Sequence, residues 1–485
     1  MTDHYPMLVA RDVEAAGRLE VRAPFDGQLL GSVDLGGKAA VEAALDVAYR
    51  LFRNRDLWLP PAERIAVLRR TARLMEERAE TLAIEAAREG GKPLLDSRVE
   101  VARAIDGVLN CAELMRSDAG NVIPMNVNAA SADRVAFTQR EPIGVVVAVS
   151  AFNHPLNLIV HQVGPAIAAG CPVIVKPAGD TPLSCMRFVG LLREAGLPAE
   201  WCQALVTESN DISTALVCDA RVGFFSFIGS SRVGWMLRSK LAPGARCALE
   251  HGGAAPVIVA GDADLEMASA KLAKGGFYHA GQVCVSVQRV FAHRSIARRS
   301  AEALAEHATR LKVGDPALPD TEVGPLIRPA EVQRVDDWIR EAEHAGAEVL
   351  CGGRTLMTSC YAPTVLWEPP ENVRISREEV FGPVICVYAY DDLDDAIARA
   401  NALPVAFQAA VFTRDLALAV RAYARLDASA VMVNDHTAFR VDWMPFAGLK
   451  ESGLGVGGIP YTFREMQVDK MFVGSLPSSP RRPMP

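Results

Sequence analysis

From Gly144 onward the chain repeats one pattern: a short apolar run, then a stretch with apolar residues at helical spacing. "GVVVAVS" precedes "HPLNLIVHQVGPAIAAG", and "PVIVKPA" precedes "TPLSCMRFVGLLREAG". "CQALVT" and "GFFSFIG" flank another helical stretch, and "APVIVA" follows. Apolar runs without polar alternation read as strands buried on both faces, and parallel strands need the long crossovers that helices supply. The pattern predicts an α/β fold built on a doubly wound parallel sheet, which binds ligands at the carboxyl ends of its strands. A second α/β unit is expected from about residue 262, where "DLEMASAKLAKGGFYHAG" reads as a helix and "SVQRVFAH" as a strand. "PVICVYAY", "DDLDDAIARANAL", "QAAVFT" and "DLALAVRAYARL" continue that unit. No internal repeat is present.

The first 120 residues read as a hairpin turning at Asp26-Gly27, then helices, one ending at the capping signal Gly90-Gly91. The length of 485 residues accommodates two to four domains. Lys and Arg total 51 against 58 Asp and Glu, a net charge of −7, which argues against nucleic acid or an anionic membrane as partner. The ten cysteines are scattered without a CxxC pair, so neither a zinc site nor a disulfide framework is expected. The opening "MTDHYPMLVARDVEAAG" has no secretory apolar core, and no apolar stretch is long enough to span a membrane. A reducing cytoplasm is the expected location. The Pro/Ser-rich end, "SLPSSPRRPMP", reads as a mobile tail.

Five stretches carry residues capable of chemistry. In "GGFYHAGQVCVSVQRV", Cys284 lies between Gly281, which lets the backbone approach a ligand closely, and an apolar strand. A nucleophile and a buried core cysteine both satisfy that segment. In "SAFNHPLN", Asn153 falls at a strand's carboxyl end, as an oxyanion donor or as a cap for the helix that Pro155 opens. In "CALEHGG", Glu250 is either a base of raised pKa or a surface residue before a turn; His251 beside it reads as structural. "FSFIGSSRVG" sets Gly229-Ser230 at a strand-to-helix junction, where amides bind phosphate. "VKPAGDTP" ends a strand at Lys176, within reach of ribose or phosphate, or simply solvated.

The order and spacing of these residues, together with "EEVFGPV" and "MPFAGLKESGLG", resemble the aldehyde dehydrogenase superfamily across essentially the whole chain. The resemblance implies a Rossmann-like cofactor domain (1–119 and 142–250), a catalytic α/β domain (251–455) and a small β oligomerisation arm with tail (120–141 and 466–485). It further implies a homodimer or homotetramer. The expected reaction is NAD(P)+-dependent oxidation of an aldehyde to a carboxylic acid through a thiohemiacetal and a thioester on Cys284. Asn153 would hold the oxyanion and Glu250 would activate water. The implied cofactor contacts are Val149, Ser150, Ala151, Phe152, Lys176, Gly179, Phe227, Gly229, Ser230, Val233, Glu379 and Phe381.

Several positions depart from the family pattern. Gly179 stands where NAD-preferring relatives commonly carry Glu, which removes a barrier to a 2′-phosphate, so NADP should be accepted and is possible as the preferred cofactor. "LVTESNDISTALV" replaces a glycine-rich stretch, and His251 replaces the usual Leu. Arg103, His154 and Arg440 match basic tunnel positions of relatives acting on anionic aldehydes, whereas Val283 is apolar where some of those relatives carry Arg. A small anionic or hydroxylated aldehyde is therefore expected. The alternatives are a neutral or benzaldehyde-type substrate, with both arginines in structural ion pairs, or transfer of the acyl group to CoA. A silent scaffold protein, or a thiol hydrolase using His279 as base, are rivals of other classes.

Overall fold

The computed structural model describes residues 3–476; the expected tail beyond Leu476 lies outside the described residues. Two parallel sheets organise the chain. The first has six strands in the order Gly453–Leu454, Arg246–Glu250, Val222–Ile228, Val145–Val149, Val173–Lys176, Cys202–Ala204. All run parallel except Gly453–Leu454. The pairing register places Val149 opposite both Lys176 and Phe227, and Ile228 opposite Glu250. Four strands therefore end at one level, and the loops that follow them share one edge.

The second sheet has seven strands in the order Glu348–Cys351, Thr364–Trp367, Val384–Tyr390, Val287–His293, Ala255–Val259, Gln408–Phe412, Ala430–Val433. Here only Glu348–Cys351 is antiparallel. "APVIVA" thus starts this sheet and does not extend the first one, as its position after "GFFSFIG" had indicated. Residues Arg246–Glu250 complete the first sheet instead, a strand masked in the sequence by its charged ends. "CQALVT" also divides. Cys202–Ala204 stays on the sheet edge, while Val206–Thr207 peels away to pair with Leu35–Gly36.

Apolar spacing explains the helices that cover the first sheet. Lys38–Arg53 buries Ala40, Val41, Ala44, Leu45, Ala48 and Leu51 along one stripe. The stretch before Gly91 forms two helices, Pro61–Glu77 and Ala79–Gly90, and Gly91 ends the second at φ 74°. Asn157–Ala169 is buried on every side, clasped by Leu94–Ser117 and Ile459–Glu465. Its first turn is anchored by Glu100, whose carboxylate accepts the Leu156 and Asn157 amides at 3.0 and 2.9 Å. Glu100 is ion-paired with Lys92, and both are almost wholly buried. Deleting one partner of such a pair leaves an uncompensated buried charge and costs about 3–5 kcal/mol.

A three-stranded antiparallel sheet stands apart: Gln467–Ser475, Arg134–Pro142 and Val122–Ile123. Val122, Phe137, Met471, Phe472 and Val473 are exposed on it.

Candidate active site

The ends of the two large sheets face each other across a cleft of about 940 Å³. The segment carrying Cys284 enters from the helix Leu265–Phe277. His279, Ala280 and Gly281 follow with φ of 50°, 53° and 70°, three successive left-handed residues. A Cβ on Gly281 would lie 2.1 Å from the Gly382 carbonyl oxygen. Gly281 thus gives room to the "EEVFGPV" backbone, where a ligand had been expected. Gln282 fastens the turn: Nε2 donates to the His279 and Pro325 carbonyls, and Oε1 accepts from the Ile327 amide at 2.9 Å. Val283 and Val285 then pack with Phe407 and Phe446, leaving Cys284 partly open to the cleft.

Asn153 arrives from the first sheet, in the loop after Val145–Val149. One amide N–H is committed to the Gln282 carbonyl at 2.9 Å, which orients the group; the second has no partner among the described residues. Glu250 ends its strand on the same wall, its carboxyl lying over Gly457, where a Cβ would meet Oε1 at 2.2 Å.

Burial dominates the electrostatics. It pushes the Cys284 thiol up to about 12, opposed by Arg440 and assisted by Glu379 and Glu250. Burial also raises Glu250; Arg440 opposes this, and Glu465 adds to it. Glu465 was not foreseen. It acts on Glu250 as a like charge, accepts from the Val456 amide at Oε1, and keeps Oε2 buried without a partner among the described residues. No motif marks it, because it stands 215 positions after Glu250 in sequence (465 − 250).

All the residues expected to contact cofactor lie on the cleft wall except Lys176. Its ammonium turns back to the Pro177 carbonyl at 3.2 Å. The remaining wall fits a dinucleotide. Gly229-Ser230 leads into the helix Ser231–Arg238, whose first amides have no side-chain cap. His251 Nδ1 bonds the Gly229 carbonyl at 2.9 Å, giving that histidine a structural task. The Glu379 carboxyl is pushed up to about 8 by burial, and among the described residues neither its Oε1 nor Ser150 Oγ has a partner. These are orphaned polar atoms suited to hydroxyl groups. Phe381 meets Phe152 edge-on at 5.8 Å. Gly179 is exposed, and next to it Asp180 pairs with Arg328.

Arg103, His154, Val283 and Arg440 line the other end. Arg103 is not free: it grips Asp442 with two hydrogen bonds, at 3.1 and 2.6 Å. His154 Nδ1 accepts from Lys92 at 3.0 Å, and burial holds its pKa well below the usual value, so the ring is neutral. Arg440 stacks on Phe446, 3.5 Å from its centroid. His279 is fully buried and off the cleft wall, which removes it as the base of a hydrolase. Among the described residues no cluster with metal-ligating composition occurs, and Cys284 is the one cysteine on the cleft.

Arg440 is the cation that favours the Cys284 thiolate. In Arg440→Met the pH dependence of Cys284 alkylation by iodoacetamide should move to higher pH, with slower labelling at pH 8. An unmoved profile would contradict the assignment.

The sequence model described as the aldehyde dehydrogenase family matches residues 12–472. The chain is 37% identical over 461 residues to a 3-sulfolactaldehyde dehydrogenase from Priestia aryabhattai, covering 95% of this chain and 96% of that protein. Its structure is similar to that of aldehyde dehydrogenase 21 from Physcomitrella patens in complex with the reaction product succinate. The TM-score is 0.94 at 32% identity, covering 98% and 99% of the two chains. It is also similar to glyceraldehyde-3-phosphate dehydrogenase GapN from Methanocaldococcus jannaschii complexed with NADP. There the TM-score is 0.89 at 32% identity, covering 94% and 99%. With this fold, this cleft and these matches, the chain belongs to the aldehyde dehydrogenase family.

Proposed function

We propose that this protein oxidises a small anionic or hydroxylated aldehyde to the carboxylic acid with NAD(P)+. The observation that carries the reading is the convergence of Cys284, Asn153 and Glu250 on one cleft whose far wall suits a dinucleotide. The Cys284 thiolate adds to the aldehyde carbon, and the free Asn153 N–H stabilises the resulting oxyanion, worth about 2.7–4 kcal/mol. NAD(P)+ held on the far wall would supply the two-electron oxidation as hydride acceptor, with the acyl group retained as a thioester on Cys284. Glu250, raised by burial, takes a proton from water as that water attacks the thioester carbon. The acid leaves and the thiol is restored. Glu250 makes hydrolysis the favoured outcome over transfer to CoA.

Gly229, Ser230 and Val233 would hold the pyrophosphate side, with Glu379 and Phe381 at the ribose and nicotinamide. Gly179 would leave room for a 2′-phosphate, and Arg328 stands on the same cleft wall, though paired with Asp180. These features favour acceptance of NADP. The sulfonate named in one relative's substrate and the second carboxylate of the succinate product named for another support an anionic aldehyde here. Arg440 is the group that would meet it.

A panel of anionic, hydroxylated, neutral and aromatic aldehydes, assayed with NAD+ and NADP+, tests this. Anionic or hydroxylated aldehydes should give the highest kcat/KM, NADP+ should support turnover, and no CoA should be required. Asn153→Ala should lower kcat about 10²–10³-fold. Equal rates on neutral and anionic aldehydes would sink the substrate class, and no turnover with NADP+ would sink the Gly179 argument.

The three-stranded arm carries an unpaired nine-residue edge, Gln467–Ser475, and the seven-stranded sheet ends in the open edge Ala430–Val433. Open edges with apolar faces seek a partner. We infer a homodimer or homotetramer. Light scattering should give two or four times 52.1 kDa, and a monomer mass would refute it.

A further inference from the structure

The two guanidiniums at the substrate end have opposite fates. Asp442, 1% exposed, receives both Arg103 hydrogen bonds and also bonds His161 Nε2 at 2.7 Å and Asn157 Nδ2 at 3.3 Å. His161 in turn offers Nδ1 to Arg440 Nη2 at 3.3 Å. An imidazole that accepts from a guanidinium at Nδ1 carries its one proton on Nε2, toward Asp442, and is neutral. Burial and Arg440 together drive the His161 pKa down to about 4, in agreement. Asp442 therefore contacts Arg103 directly, whereas its contact with Arg440 runs through an uncharged ring and its charge acts there only at a distance.

Arg440 itself is left without a carboxylate contact among the described residues. It stacks on Phe446, and its Nε is buried without a partner. The other charges facing this end cancel or belong to the chemistry. Lys92 is matched by Glu100, and Glu250 and Glu379 are pushed by burial toward the neutral form. Arg440 remains as the cation with no carboxylate contact among the described residues; Glu250 and, less strongly, Asp442 support its charge only through space. Arg440 is half-buried on the cleft wall, and a cation there with no carboxylate in contact is relieved by an anionic ligand. A second negative charge on the ligand would find Arg103 already occupied in a bidentate pair.

We propose that Asp442 sets the charge valence of the substrate end: by neutralising Arg103 and holding His161 against Arg440, it makes the site select singly charged over doubly charged aldehydes. Asp442 is a positioning residue, acting through Arg103 and His161. The proposal rests on the anionic-aldehyde reading and refines it.

The test is a charge cycle of wild type, Asp442→Asn, Arg103→Gln and the double variant. Each is assayed with a neutral aldehyde, a carboxylate or sulfonate aldehyde, and a phosphonate aldehyde of similar length. Asp442→Asn should raise the dianion-to-monoanion ratio of kcat/KM at least about tenfold. Arg103→Gln should lower both anions relative to the neutral aldehyde. The double variant should return the ratio toward wild type, which a merely structural Asp442 would not do. If Asp442→Asn fails to fold, Arg103→Gln and the double variant still read the balance. A wild type that prefers the monoanion while the ratio stays within about threefold in every folded variant overturns the valence assignment alone. A wild type equally fast on neutral and monoanionic aldehydes overturns the anionic reading and this inference with it.

Discussion

The hydrogen bond from the Asn153 amide to the Gln282 carbonyl joins the two halves of the active site. Asn153 belongs to the loop after one sheet and Gln282 to the turn before the other, 129 positions apart. Gln282 spends its own side chain on His279, Pro325 and Ile327, so the turn that carries Cys284 is held from several directions. Three consecutive left-handed residues precede it. Strain of that kind persists only where the surroundings over-determine the backbone. The packing of Gly281 against Gly382 and the Gln282 bonds supply that determination.

A second constraint is dielectric. Cys284, Glu250 and Glu379 are all pushed by burial toward their neutral forms. Arg440 acts against this at Cys284 and Glu250, so one guanidinium biases both the proposed nucleophile and the proposed base. That cation is available because Asp442 spends its charge on Arg103. The substrate end and the reacting groups thus share a single electrostatic source, and substitutions at either are expected to couple.

Much of this could be read from sequence where a motif sits at a strand end. Val149, Phe227 and Glu250 align because parallel register brings strand termini level, and "GVVVAVS" and "GFFSFIG" showed those termini as apolar runs. What stayed hidden depends on contacts between distant segments. Asp442 meets Arg103 across 339 positions, so the pairing that neutralises Arg103 left no local trace. Glu465 closes the short helix Ile459–Glu465, with nothing in its local sequence to mark it. Lys176 ends its strand as expected, yet a rotamer choice turns its ammonium to Pro177. The strand Arg246–Glu250 was obscured because its ends are charged, and the sheet change at "APVIVA" because apolar runs do not say which sheet they join.

The central claim is that the acyl group passes through a thioester on Cys284 and that Glu250 drives its hydrolysis. Intact-protein and peptide mass spectrometry on Glu250→Gln, quenched after mixing with aldehyde and NAD(P)+, tests it most directly. The account predicts a burst of reduced cofactor equal to the enzyme concentration, with the acyl mass added to the peptide containing Cys284. Steady turnover at the wild-type rate, or a burst with no mass on that peptide, would contradict it.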